Sequence, residues 1–278
     1  MWGAILKKKI MIFGLLGLFI VMLPLYAFKI EPNMLTIKQV QINENKDANA
    51  TKLKIVQISD LHISNSYPVA KLDKVIKDVN QQQPDIIVFN GDLYDNFASY
   101  PYQNEVSAKL AQMKAKVGKF AVWGNHDYGG GESRVYDSVM ANGGFKILKN
   151  AGDMLNLNGR SVFIGGMDDS MLGHPSIPET LQYRVGQPNY SVMLTHEPDV
   201  ADQLVNTGTQ LVLAGHSHGG QIKLPFYQET NVLSRKYIKG LYTLNGGMKV
   251  YVNTGVGTTR VHARFGVRPE ISVLNVSI

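Results

Sequence analysis

Residues 53–95 read LKIVQISDLHISNSYPVAKLDKVIKDVNQQQPDIIVFNGDLYD, and the reading of this stretch decides the fold class. Leu53 to Ser59 is an apolar run of strand length rich in β-branched residues. Val69 to Gln82 sets Leu72, Val75, Ile76 and Val79 along one helical face, and Asp85 to Asn90 is a second apolar strand. The alternation continues with a helix over Tyr102 to Ala115, with Val106, Leu110 and Met113 inward, and a third strand over Phe120 to Trp123. Strand, helix, strand, helix, strand implies right-handed crossovers and a mainly parallel sheet.

Ahead of this unit lie a short strand around Thr36 to Ile42 and a polar turn over residues 43–50. Beyond it the chain becomes strand-rich. Lys146 to Leu148, Met154 to Leu157 and Ser161 to Ile164 are short strands, with Asn158-Gly159 as a hairpin turn. Ser191 to Thr195 and Gln210 to Ala214 flank a helical stretch near Val200 to Asn206. Leu241 to Leu244, Met248 to Val252 and Ile271 to Ile278 complete the strands, with Asn245-Gly246-Gly247 as a turn. One domain with two packed sheets is the simplest architecture.

The 278 residues carry 28 Lys and Arg against 22 Asp and Glu and no cysteine, which excludes a disulfide scaffold, a thiolate zinc module and a thiol nucleophile. Residues 1–29 hold Lys7, Lys8, Lys9 and Lys29 and no acid, leaving 24 basic against 22 acidic residues in the remainder. A nearly neutral body argues against a nucleic-acid partner, which requires clustered basic charge. Ile10 to Phe28 is a charge-free apolar run after the Lys triplet. At about 1.5 Å per residue it spans roughly 28 Å, enough to cross a bilayer. It is longer than a secretory signal core and Leu25-Tyr26-Ala27 is a poor cleavage site, so an uncleaved anchor is favoured. The positive-inside bias then places the rest of the chain on the extracytoplasmic side of the cell membrane.

Polar clusters follow five of the strands: Asp60-Leu61-His62, Gly91-Asp92-Leu93-Tyr94-Asp95, Gly124-Asn125-His126-Asp127, His196, and Gly215-His216-Ser217-His218. Loops at the carboxyl ends of strands in open α/β sheets converge on one crevice. The donors are carboxylates, one carboxamide and imidazoles, a set without sulfur that suits Mn, Fe or Zn. Two such ions about 3.5–4 Å apart, sharing one carboxylate, would clamp the attacking and leaving oxygens of a phosphoryl transfer. Any one cluster alone is a weak signal, but five of the seven histidines fall in the ordered series.

This series resembles the calcineurin-like metallophosphoesterase superfamily from about Leu53 to Gly220. Gly219-Gly220-Gln221 and the segment Arg264 to Glu270 are similar to a membrane-associated bacterial branch that includes UDP-2,3-diacylglucosamine hydrolase-like phosphoesterases. The resemblance implies an α/β fold, a four-layer αββα sandwich of two mixed sheets flanked by helices, occupying 53–278. Residues 30–52 would be a short strand and linker, and residues 1–29 a cytoplasmic Lys cluster and transmembrane anchor. It further implies that Asp60, His62, Asp92 and His218 hold one metal and Asp92, Asn125, His196 and His216 a second. His126 would protonate the leaving group, oriented by a hydrogen bond to Asp95, and hydroxide activated by the metals would be the nucleophile. The substrate would be a phosphate ester or diphosphate, plausibly lipid-linked or from the cell envelope. A nucleotide phosphodiesterase or nuclease acting outside the cell, and an idle binding or sensor protein, are the alternatives.

Other residues carry blander expectations. Asp127 is expected to be structural, Gly129 to Gly131 a plain connection before a helix near Glu132, and Gln221 a structural neighbour of the site. Asp168, Asp169 and His174 are expected in a solvated loop, and Met167, Met171 and Met248 in packing or loop positions. Arg260, Arg264 and Arg268 are a candidate phosphate-gripping cluster, with surface ion pairing as the competing role.

Overall fold

In the computed structural model, which describes residues 2–43 and 50–278, the 53–95 unit forms as expected. Strand β1 (Thr36–Gln41) precedes β2 (Lys52–Ile58), α2 (Leu72–Gln81) and β3 (Ile86–Phe89), the first helix of the chain being α1 (Trp2–Leu25). Next come α3 (Gln103–Leu110), β4 (Gly118–Ala121), α4 (Asn125–Tyr128), α5 (Tyr136–Asn142) and β5 (Lys146–Ile147). The second half contributes β6 (Ala151–Leu157), β7 (Arg160–Gly166), α6 (Ile177–Leu181), β8 (Tyr190–Leu194), β9 (Leu211–Ala214), β10 (Lys223–Leu224) and β11 (Tyr227–Gln228). It closes with β12 (Gly240–Thr243), β13 (Lys249–Val252) and β14 (Glu270–Ser277).

Two six-stranded mixed sheets result, ordered β1-β14-β2-β3-β4-β5 and β12-β13-β9-β8-β7-β6. Strands β2 to β5 run parallel, as the crossovers require, while the last strand of the chain, β14, inserts antiparallel beside β2 and parallel to β1. Thus β1 is an edge strand of the first sheet, and β5 joins that sheet rather than the strand-rich half. The polar turn expected over 43–50 lies mostly outside the described residues.

The layers follow from side-chain polarity. Ile55, Ile86, Val88 and Leu274 of the first sheet pack on Val162, Val192, Leu211 and Leu213 of the second. On the outer face of the first sheet, Leu72, Val75 and Val79 of α2, Val106 and Leu110 of α3, and Val139 and Met140 of α5 cover Val56, Ile58 and Phe89. The outer face of the second sheet is covered more thinly, by Ala201 and Leu204 of a 3-10 turn and by Ile177 and Leu181 of α6. The stretch near Val200 to Asn206 is therefore 3-10 over Pro198–Leu204 rather than α-helical. The third strand sits two residues earlier than expected: Val122 N still donates to the Phe89 carbonyl at 3.0 Å, but Trp123 and Gly124 lead straight into α4.

Each apolar side chain buried between the sheets stabilises the fold by about 1.5–3 kcal/mol, so polar residues in that layer must be fully bonded. Asn90 is fully bonded, and Gln57 is bonded through its amide nitrogen, its Oε1 being buried without a partner. Gln57 donates to Asn90 Oδ1 at 3.0 Å and to the Ala214 carbonyl at 2.9 Å, and Asn90 donates to the Thr195 and Leu213 carbonyls at 3.0 and 2.8 Å. These bonds stitch the two sheets together where the apolar core ends and the polar strand ends begin.

Candidate metal centre

The carboxyl ends of β2, β3, β4, β8 and β9 meet at the same end of the sandwich, bringing together all nine residues singled out there by sequence. Among the described residues, Asp60, His62 and His218 form one grouping of donor atoms and Asp92, His196 and His216 another, each within 4.8 Å. Asp92 lies between them. Its Oδ2 is 3.4 Å from His62 Nε2 and 3.3 Å from His196 Nε2, while Oδ1 accepts the His126 backbone N–H at 2.8 Å. His62 Nε2 and His218 Nε2 stand 3.1 Å apart, with Asp60 Oδ1 3.5 Å from the latter. On the other side, His196 Nε2 is 3.2 Å from both Asn125 Oδ1 and His216 Nδ1.

Local backbone geometry produces this convergence. Asp60, His62, Asp92, His216 and His218 all have positive φ, between 45° and 65°, which bends the chain sharply just past each strand. Such left-handed residues cost of order 1–3 kcal/mol each and persist where the surroundings over-determine them. The glycines answer a different need. Gly91, at φ 87°, would place a Cβ 2.5 Å from the Gly124 nitrogen. Gly91→Ala should therefore destabilise the protein by about 2–4 kcal/mol through strain and overpacking, visible as a lowered Tm; an unchanged melt would mean that the loop relaxes freely.

Hydrogen bonds at the back of two rings orient them. His196 Nδ1 donates to the Asn90 carbonyl at 2.6 Å and His216 Nε2 to the Val232 carbonyl at 2.8 Å, so His196 Nε2 and His216 Nδ1 face the centre. Burial works against charge on Asp92, yet His196 and the other imidazoles hold its carboxyl well below the usual range. Burial likewise opposes charge on His196, but Asp92 pulls it well above an ordinary histidine. Burial and His196 push His216 down to about 4; burial, His62 and Arg264 push His218 well below its usual value. Two carboxylates, one carboxamide oxygen and four imidazoles form a donor set that would suit divalent cations.

His126 stands at the open side, 28% exposed, and lines a cleft with Asp92, Asn125, His216, His218 and Arg260. Its orientation differs in detail from expectation: Nδ1 donates to the backbone carbonyl of Asp95 at 2.9 Å, whereas the Asp95 carboxylate is 3.9 Å away and lies closer to His62 Nδ1, at 3.4 Å. His126 Nε2 thus faces the cleft, 3.4 Å from Thr259 Oγ1. Asp127 is structural as expected, accepting the Asp92, Leu93 and Gly124 backbone N–H groups at 2.7–2.9 Å. Burial and the neighbouring Asp92 raise its carboxyl to about 7.

The arginine cluster comes apart. Arg260 is exposed and lines the cleft, and Arg268 is exposed outside it. Arg264 is fully buried, donating to the carbonyls of Thr254, Gly255, Gly257 and Val267, so its guanidinium is spent on the protein itself. Asp168 and Asp169 are also buried rather than solvated: they accept the loop's own N–H groups at Asp169, Met171, Leu172 and His174, and Asp168 accepts Tyr128 Oη at 2.6 Å. Gln221 braces the Arg260 loop by bonding to Thr259 and Val261. Sequence reading missed Asn90, Val232 and Thr259. Only Asn90 carried a signal, as an amide at the end of an apolar strand.

A family profile described as calcineurin-like phosphoesterase matches residues 53–220. The metallophosphoesterase YkuE of Bacillus subtilis is 39% identical over 259 residues, covering 90% of this chain and 88% of that protein. The UDP-2,3-diacylglucosamine pyrophosphatase LpxG of Chlamydia trachomatis is 28% identical, covering 90% and 91%, and the phosphodiesterase YaeI of Escherichia coli is 27% identical, covering 90% and 92%.

Proposed function

The chain belongs to the calcineurin-like phosphoesterase family, and from that premise we propose that it hydrolyses a lipid-linked or envelope phosphate ester or diphosphate at a membrane surface. The observation that carries the hydrolase reading is the position of Asp92 Oδ2 between the two donor sets. Asp60, His62, Asp92 and His218 would hold one divalent ion and Asp92, Asn125, His196 and His216 the other, both Mn, Fe or Zn. When bound, such ions polarise a phosphoryl oxygen and bring the pKa of water near neutrality. His126 supplies the proton: with Nδ1 committed to the Asp95 carbonyl, Nε2 is the atom that can deliver it to the leaving oxygen. Burial works against charge on this ring, and Asp92 with the Asp95 carbonyl outweighs it, which favours the acid form. Arg260, at the rim, would grip substrate charge.

The lipid side of the reading rests on α1 and on the likeness to LpxG. Past the Lys triplet, α1 exposes Ile10, Phe13, Leu15, Leu18, Phe19 and Ile20, and its sequence from Ile10 to Leu25 carries no charge. At about 1.5 Å per residue the helix is roughly 36 Å long, enough to cross a bilayer. We place it as a single-pass anchor of the cell membrane, with the 53–278 hydrolase domain extracytoplasmic. Accessibility labelling that finds residues after Phe28 in the cytoplasm would overturn this topology.

The deciding assay presents the purified full chain, loaded in turn with Mn, Zn, Fe and Mg, with an activated diester, an activated monoester and a lipid diphosphate. Turnover of at least one is expected; none, with two ions bound by elemental analysis, overturns the hydrolase reading. His126→Ala should retain both ions and lose about 10²–10⁴-fold in kcat, the usual contribution of a general acid. Loss of the ions in that variant would refute the role given to His126.

A further inference from the structure

We propose that the β10–β11 ribbon is a second membrane contact, which seats the cleft on the bilayer surface beside α1. This rests on the reading of α1 as an anchor and adds to it a determinant of orientation. The ribbon is a two-residue hairpin, Lys223 opposite Gln228 and Leu224 opposite Tyr227, with Pro225 and Phe226 at its tip. The Phe226 side chain is as exposed as in an extended peptide, at 103%, and Leu224 and Tyr227 beside it are exposed as well. A single exposed apolar residue needs no explanation, but a contiguous projecting group of this kind marks a contact surface.

Position selects the partner. At its base the ribbon pairs with the segment that receives the end of α1: Ile222 bridges to Phe265, and Lys223 N donates to the Phe265 carbonyl at 2.7 Å. The Phe265 ring meets Tyr26 edge-on at 6.1 Å, and Arg264 N donates to the Ala27 carbonyl at 2.9 Å. Leu25 and Phe28 remain exposed at this junction, so the apolar surface of the helix continues towards the ribbon.

Beyond the ribbon the same strand leads into the rim of the cleft. Asn231 Nδ2 donates to the His216 carbonyl at 3.1 Å, and Val232 carries the carbonyl that orients the His216 ring. Val232, Val261 and Met171 are exposed around that rim. Its exposed charge is mainly basic: Lys29 at the junction, Lys223 and Lys239 at the ribbon and Arg260 at the mouth, against Glu229 and the buried Glu31 and Glu270. Apolar tips among basic residues are what an anionic phospholipid surface attracts. The substrate class that follows is an amphiphile whose phosphate enters the cleft while its alkyl chains stay in the leaflet.

The chain has no cysteine, so one introduced thiol labels one place. The full-length Phe226→Cys protein, carrying an environment-sensitive fluorophore, is reconstituted in phosphatidylcholine–phosphatidylglycerol vesicles containing shallow doxyl-lipid quencher. Val185→Cys, on the exposed loop between α6 and β8, serves as the reference site. An interfacial side chain sits about 5–10 Å into the headgroup–acyl boundary, so the label at 226 should lose most of its emission and the label at 185 almost none. Failure of the chain to float with the vesicles overturns both the anchor and the ribbon contact. Flotation with equal, weak quenching at the two sites overturns the ribbon contact alone. Emission at 226 that changes with protein concentration and not with quencher overturns it in favour of a second copy of the chain.

Discussion

Asp92→Asn is expected to release both metal ions and to lower kcat/KM by about a thousandfold or more, while leaving the fold intact. The substitution replaces Oδ2, which faces His62 Nε2 and His196 Nε2 at 3.4 and 3.3 Å, with an amide nitrogen that has no lone pair for a cation. Oδ1 is retained, so the bond from the His126 backbone N–H persists and the strand-end turn survives. Lewis-acid stabilisation of a phosphoryl transition state amounts to several kcal/mol, and about 1.4 kcal/mol is a factor of ten in rate. Elemental analysis of the purified variant beside its circular dichroism spectrum separates metal loss from unfolding. A variant that keeps two ions at full occupancy would refute the sharing of Asp92.

Arg264→Met is expected to cost about 3–5 kcal/mol of stability, since each buried carbonyl left without a donor costs about 1–3 kcal/mol. Burial pushes the guanidinium down to about 10, which still leaves it cationic at neutral pH, and nearby Asp60, Glu31 and Glu270 favour that charge. Removing it would leave the carbonyls of Thr254, Gly257 and Val267 without this donor, while Gly255 keeps only the Glu270 backbone N–H. The consequence reaches the site, because Val256 N and Gly257 N in this loop donate to the Ser59 and Asp60 carbonyls at 3.1 and 2.7 Å. Arg264→Lys should fall close to Arg264→Met, since an ammonium cannot span four carbonyls spread over the loop. Arg260→Ala should leave Tm unchanged and raise KM. Urea melts together with steady-state kinetics test both expectations, and an Arg264→Met protein of ordinary stability and raised KM would return that residue to substrate binding.

These contrasts show where sequence was sufficient. The periodicity of 53–95 and the positions of Asp60, His62, Asp92, Asn125, His126, His196, His216 and His218 were legible because both are local: apolar spacing identifies the element, and polar residues immediately after a strand identify the end that carries the site. Boundaries were less legible where a tight turn competed with a ladder, as at Val122 and Trp123. The arginines were misjudged for a related reason. Three cations four residues apart look equivalent in sequence, yet a loop passing inside or outside the domain makes one a structural donor and leaves another at the cleft.

Sequence by itself therefore determined the class of the sheet, the polar residues that gather at its strand ends, the apolar helix and the near-neutral charge of the remainder. Tertiary structure alone decided that Asp92 Oδ2 faces both donor sets, that the Asp95 carbonyl rather than its carboxylate holds His126, and that Arg264 is spent inside the fold. It also decided that the apolar ribbon stands next to the helix exit. The physical reason is the same in each case. Residue type sets what an atom can donate or accept, but distances of about 3 Å between residues tens or hundreds of positions apart exist only after the sheets have packed.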